Sequence, residues 1–263
     1  MKQIILLFLL LPILVCGQEN LNQTDSNGWK QGRWEKRYPD GQKMYEGSFK
    51  NNKPVGEWKR YHETGGVKAI LQYNENNDSV KARLFETAAH PVAEGKYFRE
   101  NKEGLWIYYA DGVRIAEENF VKGMRNGICR KYYVTGELLE ESEWKDNQKD
   151  GKYQAFFLSG KPYLQCMYKN DRREGRFFSY FLSGMTEVES YYTNDLPDGT
   201  WKYFNEKDSV RFILQYDKGT LKNPEVLINL NTKELENLEK QRANLTDPEK
   251  YLQNPEEYPI KKR

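Results

Sequence analysis

The sequence has few histidines, few cysteines and almost no net charge, and each shortage argues against a class of function. Only 2 His and 3 Cys occur among 263 residues, too few for a convincing histidine-based catalytic set or a His/Cys metal site. Lys plus Arg number 41 and Asp plus Glu number 39. A nucleic-acid partner needs a concentrated basic surface. We therefore expect a protein that is not an enzyme, with no catalytic, cofactor-binding or metal-binding residues and no nucleic-acid partner.

Aliphatic side chains are also sparse, whereas aromatic residues make up 14% of the chain, with 19 Tyr, 12 Phe and 6 Trp. Little aliphatic content argues against a thick core with helices on both sides of a sheet. Tyr and Trp suit thin, half-hydrated layers instead. His62 and His90 have no partner at metal-ligand spacing, which favours surface or loop positions for both.

The one long apolar run is N-terminal. Lys2 precedes twelve apolar residues, 4–15, and Cys16-Gly17 ends the run. This pattern predicts a signal peptide over residues 1–17, cleaved after Gly17, because twelve residues are too few to span a bilayer. The alternative is a lipoprotein signal with a lipid anchor at Cys16, which Val15 disfavours. We expect a periplasmic, outer-membrane-associated or extracellular protein with a flexible leader over 18–31.

Internal repetition dominates the rest of the sequence. Seven similar stretches begin with a glycine, at intervals of 24, 48, 23, 24, 24 and 24 residues. These opening glycines are Gly32, Gly56, Gly104, Gly127, Gly151, Gly175 and Gly199. A second glycine follows eight or nine residues later, at Gly41, Gly65, Gly112, Gly136, Gly160 and Gly184. The double interval predicts a degenerate unit near residue 80, and Gly47 and Gly95 match each other across it.

Each repeat has the pattern of a β-hairpin. An aromatic residue lies two positions after the opening glycine and alternates with polar neighbours, which is typical of a half-buried strand. These residues are Trp34, Trp58, Trp106, Tyr153, Phe177 and Trp201. The second glycine belongs to a turn, where it can adopt positive φ. The returning strand ends in an aromatic residue seventeen positions after the opening glycine, at Phe49, Tyr73, Trp144, Tyr168, Tyr192 and Tyr216.

The units resemble MORN repeats, particularly the divergent bacterial variant. Tyr45-Glu46-Gly47-Ser48-Phe49, Asn51-Asn52-Lys53 and Gly56-Glu57-Trp58 carry the resemblance most fully. With the repeats, it predicts an all-β fold over 32–219: an elongated, solenoid-like antiparallel sheet of about eight hairpins, starting near 32, 56, 80, 104, 127, 151, 175 and 199. Similar proteins often carry an antitoxin label, and lipid binding has been suggested for MORN proteins.

A helical C-terminal cap is expected over 220–263, because Asn231 resembles an N-cap and Leu235, Leu238 and Leu245 follow at helical spacing. Asp247-Pro248 resembles a second helix start. The alternative is that this helix binds a partner. The exposed ends of an open sheet need covering, which favours the cap.

Two cysteines remain after cleavage, and the repeat places Cys129 and Cys166 in the first and fourth of four consecutive strands. About three strand spacings, or roughly 14 Å, would separate them, too far for a disulfide. We expect two free, buried thiols.

The adjacent acids Glu117-Glu118, Glu140-Glu141 and Glu256-Glu257 should lie on opposite faces of a strand, as solvated groups rather than acid/base pairs.

The repeats, the export signal and the missing catalytic set predict a non-enzymatic scaffold that holds an unknown protein partner in the cell envelope. One alternative is an antitoxin-like, toxin-neutralising protein, a role that is cytoplasmic in most such systems. The other is association with membrane lipid, which the near-neutral charge would make weak.

Overall fold

A computed structural model describes residues 20–76, 78–86 and 90–243 of the chain. The predicted signal peptide and the expected second helix start at Asp247 lie outside these residues. The chain divides into two compact units, Met1–Arg125 and Asn126–Arg263. Each unit is described by itself.

The first unit consists of antiparallel strands that pair in chain order. They are β1 Gln23–Thr24, β2 Lys30–Arg37, β3 Lys43–Lys50, β4 Lys53–Tyr61, β5 Val67–Tyr73, β6 Ser79–Phe85, β7 Pro91–Phe98, β8 Asn101–Ala110, β9 Val113–Val121 and β10 Met124–Arg125. Every consecutive pair from β1 to β10 is antiparallel. The predicted hairpins, including the degenerate one near residue 80, are all present.

The second unit continues this pattern and ends in a helix. Its strands are β11 Gly127–Tyr132, β12 Leu138–Lys145, β13 Gln148–Phe156, β14 Pro162–Lys169, β15 Arg172–Tyr180, β16 Thr186–Thr193, β17 Leu196–Phe204, β18 Val210–Asp217 and β19 Thr220–Leu221, followed by helix α1 Glu225–Ala243. All consecutive strand pairs are antiparallel. The predicted fold class, antiparallel hairpins followed by a C-terminal helix, is confirmed.

Two kinds of turn alternate along the repeats. Most loops inside a repeat close on a glycine with positive φ, as at Gly41, whose N–H donates to Tyr38 O over 3.0 Å. Asp208 takes this place in the last repeat, with φ 59°. Turns between repeats have two residues, both with positive φ, as at Asn51 and Asn52. This is the type I′ geometry that asparagine, aspartate and glycine accept at low cost. The repeat beginning at Gly104 is one residue short because Asp111-Gly112 forms such a two-residue turn inside it.

The opening glycines serve a β-bulge between repeats. Glu46 pairs with Lys59 whereas Ser48 pairs with Val55, so β4 advances four residues while β3 advances two. Gly56 lies in the extra stretch with φ 66°. Similar register shifts occur between β7 and β8, β12 and β13, β14 and β15, and β16 and β17. A side chain with a Cβ rarely adopts this φ, which explains a glycine at the opening position.

The degenerate repeat has no such bulge. Val80 stands at the opening position, and β5 pairs with β6 without a register shift. The connection between Tyr73 and Ser79 is longer than the two-residue turns elsewhere. The residues that form the bulge in other repeats therefore lie in the longer turn here. As a result, Val80 is still 24 residues from both Gly56 and Gly104.

Two boundary predictions differ from the structure. Within the expected flexible leader, β1 pairs with β2, and Asp25 Oδ1 accepts bonds from the backbone N–H of Asn27 and Trp29, so a local turn orders this segment. Helix α1 begins at Glu225 rather than after Asn231, because Pro224 fits a first helical turn. None of the helices in the described part of the chain has the length and apolar composition of a membrane span.

The contacts of α1 with the last hairpins come from its first turn. Leu235 and Leu238, whose spacing predicted a helix here, are 61% and 56% exposed. Tyr251, Leu252 and Tyr258, which were expected to pack on these hairpins, lie outside the described residues. Val226 and Leu227 of the first turn pack against the cluster of Tyr192, Trp201 and Leu214. The start of α1 therefore covers this core.

Candidate functional site

The core of the first unit is a row of side chains on one face of its sheet, here called the inner face. Trp106 is completely buried and Trp58 is 6% exposed. The buried cluster consists of Trp58, Ala69, Leu71, Ala82, Ala93, Trp106 and Phe120. Partly buried aromatic residues flank it, and Trp58 lies 4.8 Å from Phe49 in edge-to-face contact. The predicted aromatic positions therefore form the core itself.

A glycine lies directly beside each of the two buried tryptophan rings of this row. A Cβ on Gly95 would lie 2.6 Å from Cγ of Trp106, and one on Gly47 would overlap the Trp58 ring. Each indole N–H donates to a backbone carbonyl of the preceding strand: Trp58 to Ser48 O at 3.0 Å, and Trp106 to Lys96 O at 3.1 Å. Both glycines are thus required by close approach of a ring, and neither has positive φ.

The second unit has an equivalent row on its own inner face. Ser142 pairs with Tyr153 and Cys166 pairs with Phe177, again small against large. Both cysteines are buried, and neither forms a disulfide. Cys129 lies in β11 and Cys166 in β14, the first and fourth of four consecutively paired strands, so both predictions about them are confirmed. Burial raises the pKa of the Cys166 thiol to about 11, which makes it unreactive near neutral pH.

Cations on the inner face lie over these rings, a feature that the sequence analysis missed. Lys102 Nζ lies 4.6 Å from the Trp106 ring centre and 5.0 Å from that of Phe120. Lys149 and Arg173 hold comparable positions over Tyr153 and Tyr192, at 4.7 and 4.0 Å. Burial lowers the pKa of Lys102, although nearby Glu118 opposes this. Cation–π contacts of this kind stabilise the aromatic row by about 0.5–1 kcal/mol each.

The opposite, outer face carries a continuous row of polar and aliphatic side chains in the first unit. Glu35 pairs with Glu46, and the row continues through Lys59, Ile70, Arg83, Glu94, Ile107 and Glu117 in unbroken register. Ion pairs stabilise parts of it, as between Lys43 and Glu46 at 2.8 Å. The inner face is used for the core, so the outer face is the surface available for contacts.

The outer face of the second unit also exposes apolar side chains. Its row pairs Arg130, Glu141, Gln154, Gln165, Phe178, Glu189, Lys202 and Ile213 in unbroken register. Flanking this row on alternating positions are Tyr163, Met167 and Tyr191, which are 46%, 46% and 43% exposed. Exposed apolar side chains among polar ones are a property of protein interaction surfaces.

Two recurring hydrogen bonds link neighbouring repeats. Tyr61 OH donates to Glu46, and Tyr109 OH donates to Glu94 at 2.7 Å, fifteen residues apart in each case. Burial and the Glu46 carboxylate raise the pKa of Tyr61 to about 12, whereas hydrogen bonds from Lys43 and then Tyr61 hold the pKa of Glu46 below its usual value. These groups keep their charge states through the neutral range and act as structural links.

His62 takes part in the second recurring bond. Tyr38 OH donates to Tyr61 O at 2.9 Å and Tyr133 OH to Phe156 O at 2.8 Å, each across 23 residues. His62 Nε2 lies 3.1 Å from Phe85 O at the same spacing. His62 therefore occupies a tyrosine position of the repeat, and its partial burial refines the predicted surface or loop location.

Among the described residues, no group of three or more His, Cys, Asp or Glu side chains has an arrangement that could hold a metal ion. The adjacent acids do face opposite sides of their strands, but not all are solvated. Glu140 accepts from Tyr153 OH at 3.1 Å on the inner face, whereas Glu141 bonds Arg130 at 2.8 Å on the outer face. Glu256-Glu257 lies outside the described residues.

Sequence reasoning also missed two inner-face aromatics, Tyr97 and Phe120. Gly104 pairs with Phe120 as Gly56 pairs with Tyr73, but the short repeat moves Phe120 one position out of phase. Tyr97 lies in the degenerate repeat, seventeen residues after Val80, where no opening glycine marks the phase. Counting back from the next repeat would have found Tyr97.

Comparison with known families finds the MORN repeat variant in three segments, residues 30–51, 54–75 and 149–170. Each segment covers one hairpin: β2 with β3, β4 with β5, and β13 with β14. The first two include the residues on which the resemblance was based, except Asn52 and Lys53, which lie between the two segments. No curated protein matches the chain.

Proposed function

Because the chain is a repeat protein that carries the MORN repeat variant, we propose that it is a non-enzymatic scaffold, exported to the cell envelope, that holds another protein on the outer faces of its hairpins. The observation that carries the proposal is the unequal use of the two faces. Inner-face side chains are used in the core, whereas the outer face of the second unit leaves Met167 and Tyr191 exposed among polar residues. Export rests on the sequence of residues 1–17.

Crosslinking in the envelope fraction, followed by affinity capture, tests the scaffold. A Met167→Glu/Tyr191→Glu variant places charges on the outer face and should lose the crosslinked partner. The control, Leu158→Glu/Leu182→Glu, adds the same charge at hairpin tips where both leucines are exposed, at 55% and 61%. It should retain the partner. Equal capture by all three proteins would refute a role for this face.

Two further measurements separate the scaffold from other roles. Fractionation should find a chain shortened by residues 1–17 in the envelope; full-length protein in the cytoplasm would favour the antitoxin-like role. Vesicle flotation should find little bound protein, and strong flotation would favour lipid association. A saturable activity on a small substrate, lost on changing one polar residue, would contradict a non-enzymatic role.

A further inference from the structure

The first unit has a groove on its outer face, over β4 to β8. The groove has a volume of about 520 Å³, within the range of small-ligand and peptide sites. Ile70, Leu105 and Ile107 supply its apolar lining, and Lys81 and Lys96 its central charges. Leu105 is 47% exposed although it lies in the middle of a sheet.

The two central lysines face each other. Lys81 of β6 pairs directly with Lys96 of β7, and like charges in this arrangement repel. Both are exposed, and neither has an ion-pair partner among the described residues. The next pair along the same strands, Arg83 and Glu94, forms an ion pair at 3.2 Å. Lys96 also pairs with Glu103 of β8 on its other side, without an ion pair between them among the described residues. The lysine pair is therefore balanced less directly than Arg83 and Glu94.

The groove coincides with the repeat that departs from the pattern. Val80 replaces the opening glycine there and Ala82 replaces the aromatic residue, so the bulge is absent and β5, β6 and most of β7 pair regularly. A local departure from an otherwise consistent pattern is expected at functional sites. The shape, the charges and the repeat pattern therefore indicate the same place.

We propose that this groove binds an extended, acidic segment of a partner protein, with carboxylates at Lys81 and Lys96 and an aliphatic side chain near Leu105. The inference rests on the proposed scaffold function and adds a docking site in the first unit to the exposed outer face of the second. Glu57, Glu94 and Glu103 surround the lysines and would repel a uniformly anionic surface such as a lipid bilayer. A peptide can space its carboxylates to avoid these acids, which is why the charge pattern favours it.

Selection from a random six-residue peptide library displayed on phage tests the proposal, with the enriched peptides measured by fluorescence anisotropy. Enriched sequences should combine two or more Asp or Glu with aliphatic residues. Lys81→Glu/Lys96→Glu should weaken them at least about tenfold, an effect of the size expected for paired charges. The control Lys36→Glu/Lys68→Glu carries the same charge change outside the groove and should stay within about twofold.

Circular dichroism shows whether each variant folds. If Lys81→Glu/Lys96→Glu does not fold, Lys81→Gln/Lys96→Gln replaces it, and a smaller loss of peptide affinity is expected. The proposal is overturned if the enriched peptides are not rich in Asp or Glu, or if both lysine variants bind these peptides as tightly as the unchanged protein. Vesicles of equal phosphatidylserine and phosphatidylcholine provide the lipid arm; binding there that depends on these lysines, with no peptide binding, also overturns it. If the reversal variant still crosslinks its envelope partner, the scaffold remains and the groove assignment fails.

Discussion

Exchanging one small and one large residue of the inner-face row tests the packing rule directly. Gly95→Ser adds a side chain where even a Cβ would lie 2.6 Å from Cγ of fully buried Trp106. Overpacking a core costs about 1–3 kcal/mol, and displacing the indole from Lys96 O adds about 1 kcal/mol, so the variant should lose about 3 kcal/mol. Trp106→Tyr alone leaves a cavity and should cost about 2 kcal/mol.

The double variant reproduces the natural pair Ser142 and Tyr153. The serine of Gly95→Ser then lies against the smaller ring of Trp106→Tyr, so the combined loss should be about 3 kcal/mol rather than about 5 kcal/mol. Gly66→Ala is the control, because no atom lies within 4 Å of its added Cβ and its φ is ordinary. It should cost less than about 0.5 kcal/mol.

Urea unfolding followed by circular dichroism measures these values, and tryptophan fluorescence checks that both probes report one transition, since repeat proteins can unfold in steps. Additive losses in the double variant would show that the two positions do not share space. A Gly95→Ser loss no larger than that of Gly66→Ala would refute the steric reasoning altogether.

Three further predictions concern single contacts. His62→Phe should lose about 1 kcal/mol of unfolding free energy and His62→Tyr less than about 0.5 kcal/mol, measured by urea unfolding, because tyrosine can restore the bond to the carbonyl. Asn223 accepts from Gln215 N–H at 2.8 Å and donates to Ile213 O at 3.0 Å; Asn223→Ala should therefore speed hydrogen exchange at the Gln215 amide, and unchanged exchange would contradict this role. The bond from Arg173 holds the pKa of Asp195 below its usual range, so that stabilisation is present above about pH 4 and is lost as pH falls through the lower folded pKa. Asp195→Asn should lower the unfolding midpoint at pH 7 and flatten its dependence on pH between about pH 4 and pH 2; an unaltered acid dependence would contradict the assignment.

The sequence predicted the hairpins because their signals recur. A turn glycine and an aromatic residue at a fixed spacing appear several times over, and the repetition compensates for the weakness of each single signal. The start of α1 was harder, because Asn223-Pro224 and Asn231 offer competing helix-start signals and the choice depends on where the last strand ends. The prediction of a flexible leader was wrong for a similar reason. The hydrogen bonds to Asp25 order this segment, but its composition shows only that the residues are polar.

The groove could not be predicted, because it depends on what one repeat lacks. The opening glycines identify the repeats, and the repeat that has Val80 in place of this glycine lacks that signal. The pairing of Lys81 with Lys96 depends on the strand register of this repeat, which has no bulge between β5 and β6. The lysines over aromatic rings were missed for a different reason: their position holds Pro54 or Pro197 in other repeats. Because the residue type at this position changes from repeat to repeat, it produces no periodic signal in the sequence.

The two faces of each sheet are constrained in different ways, and this difference locates the specificity of the protein. On the inner face, positions are coupled in pairs by volume, so a change at Ser142 is tolerated only with a matching change at Tyr153. On the outer face, the main constraint on a side chain is that its neighbours do not carry the same charge, and exposed substitutions there cost little stability. The outer rows of the two units accordingly differ in composition, whereas both inner rows place a small residue beside a large ring, as at Gly95 with Trp106 and Ser142 with Tyr153. Partner recognition can therefore change on the outer face without cost to the fold, and Lys81 and Lys96 mark a place in the first unit where like charges face each other across two strands.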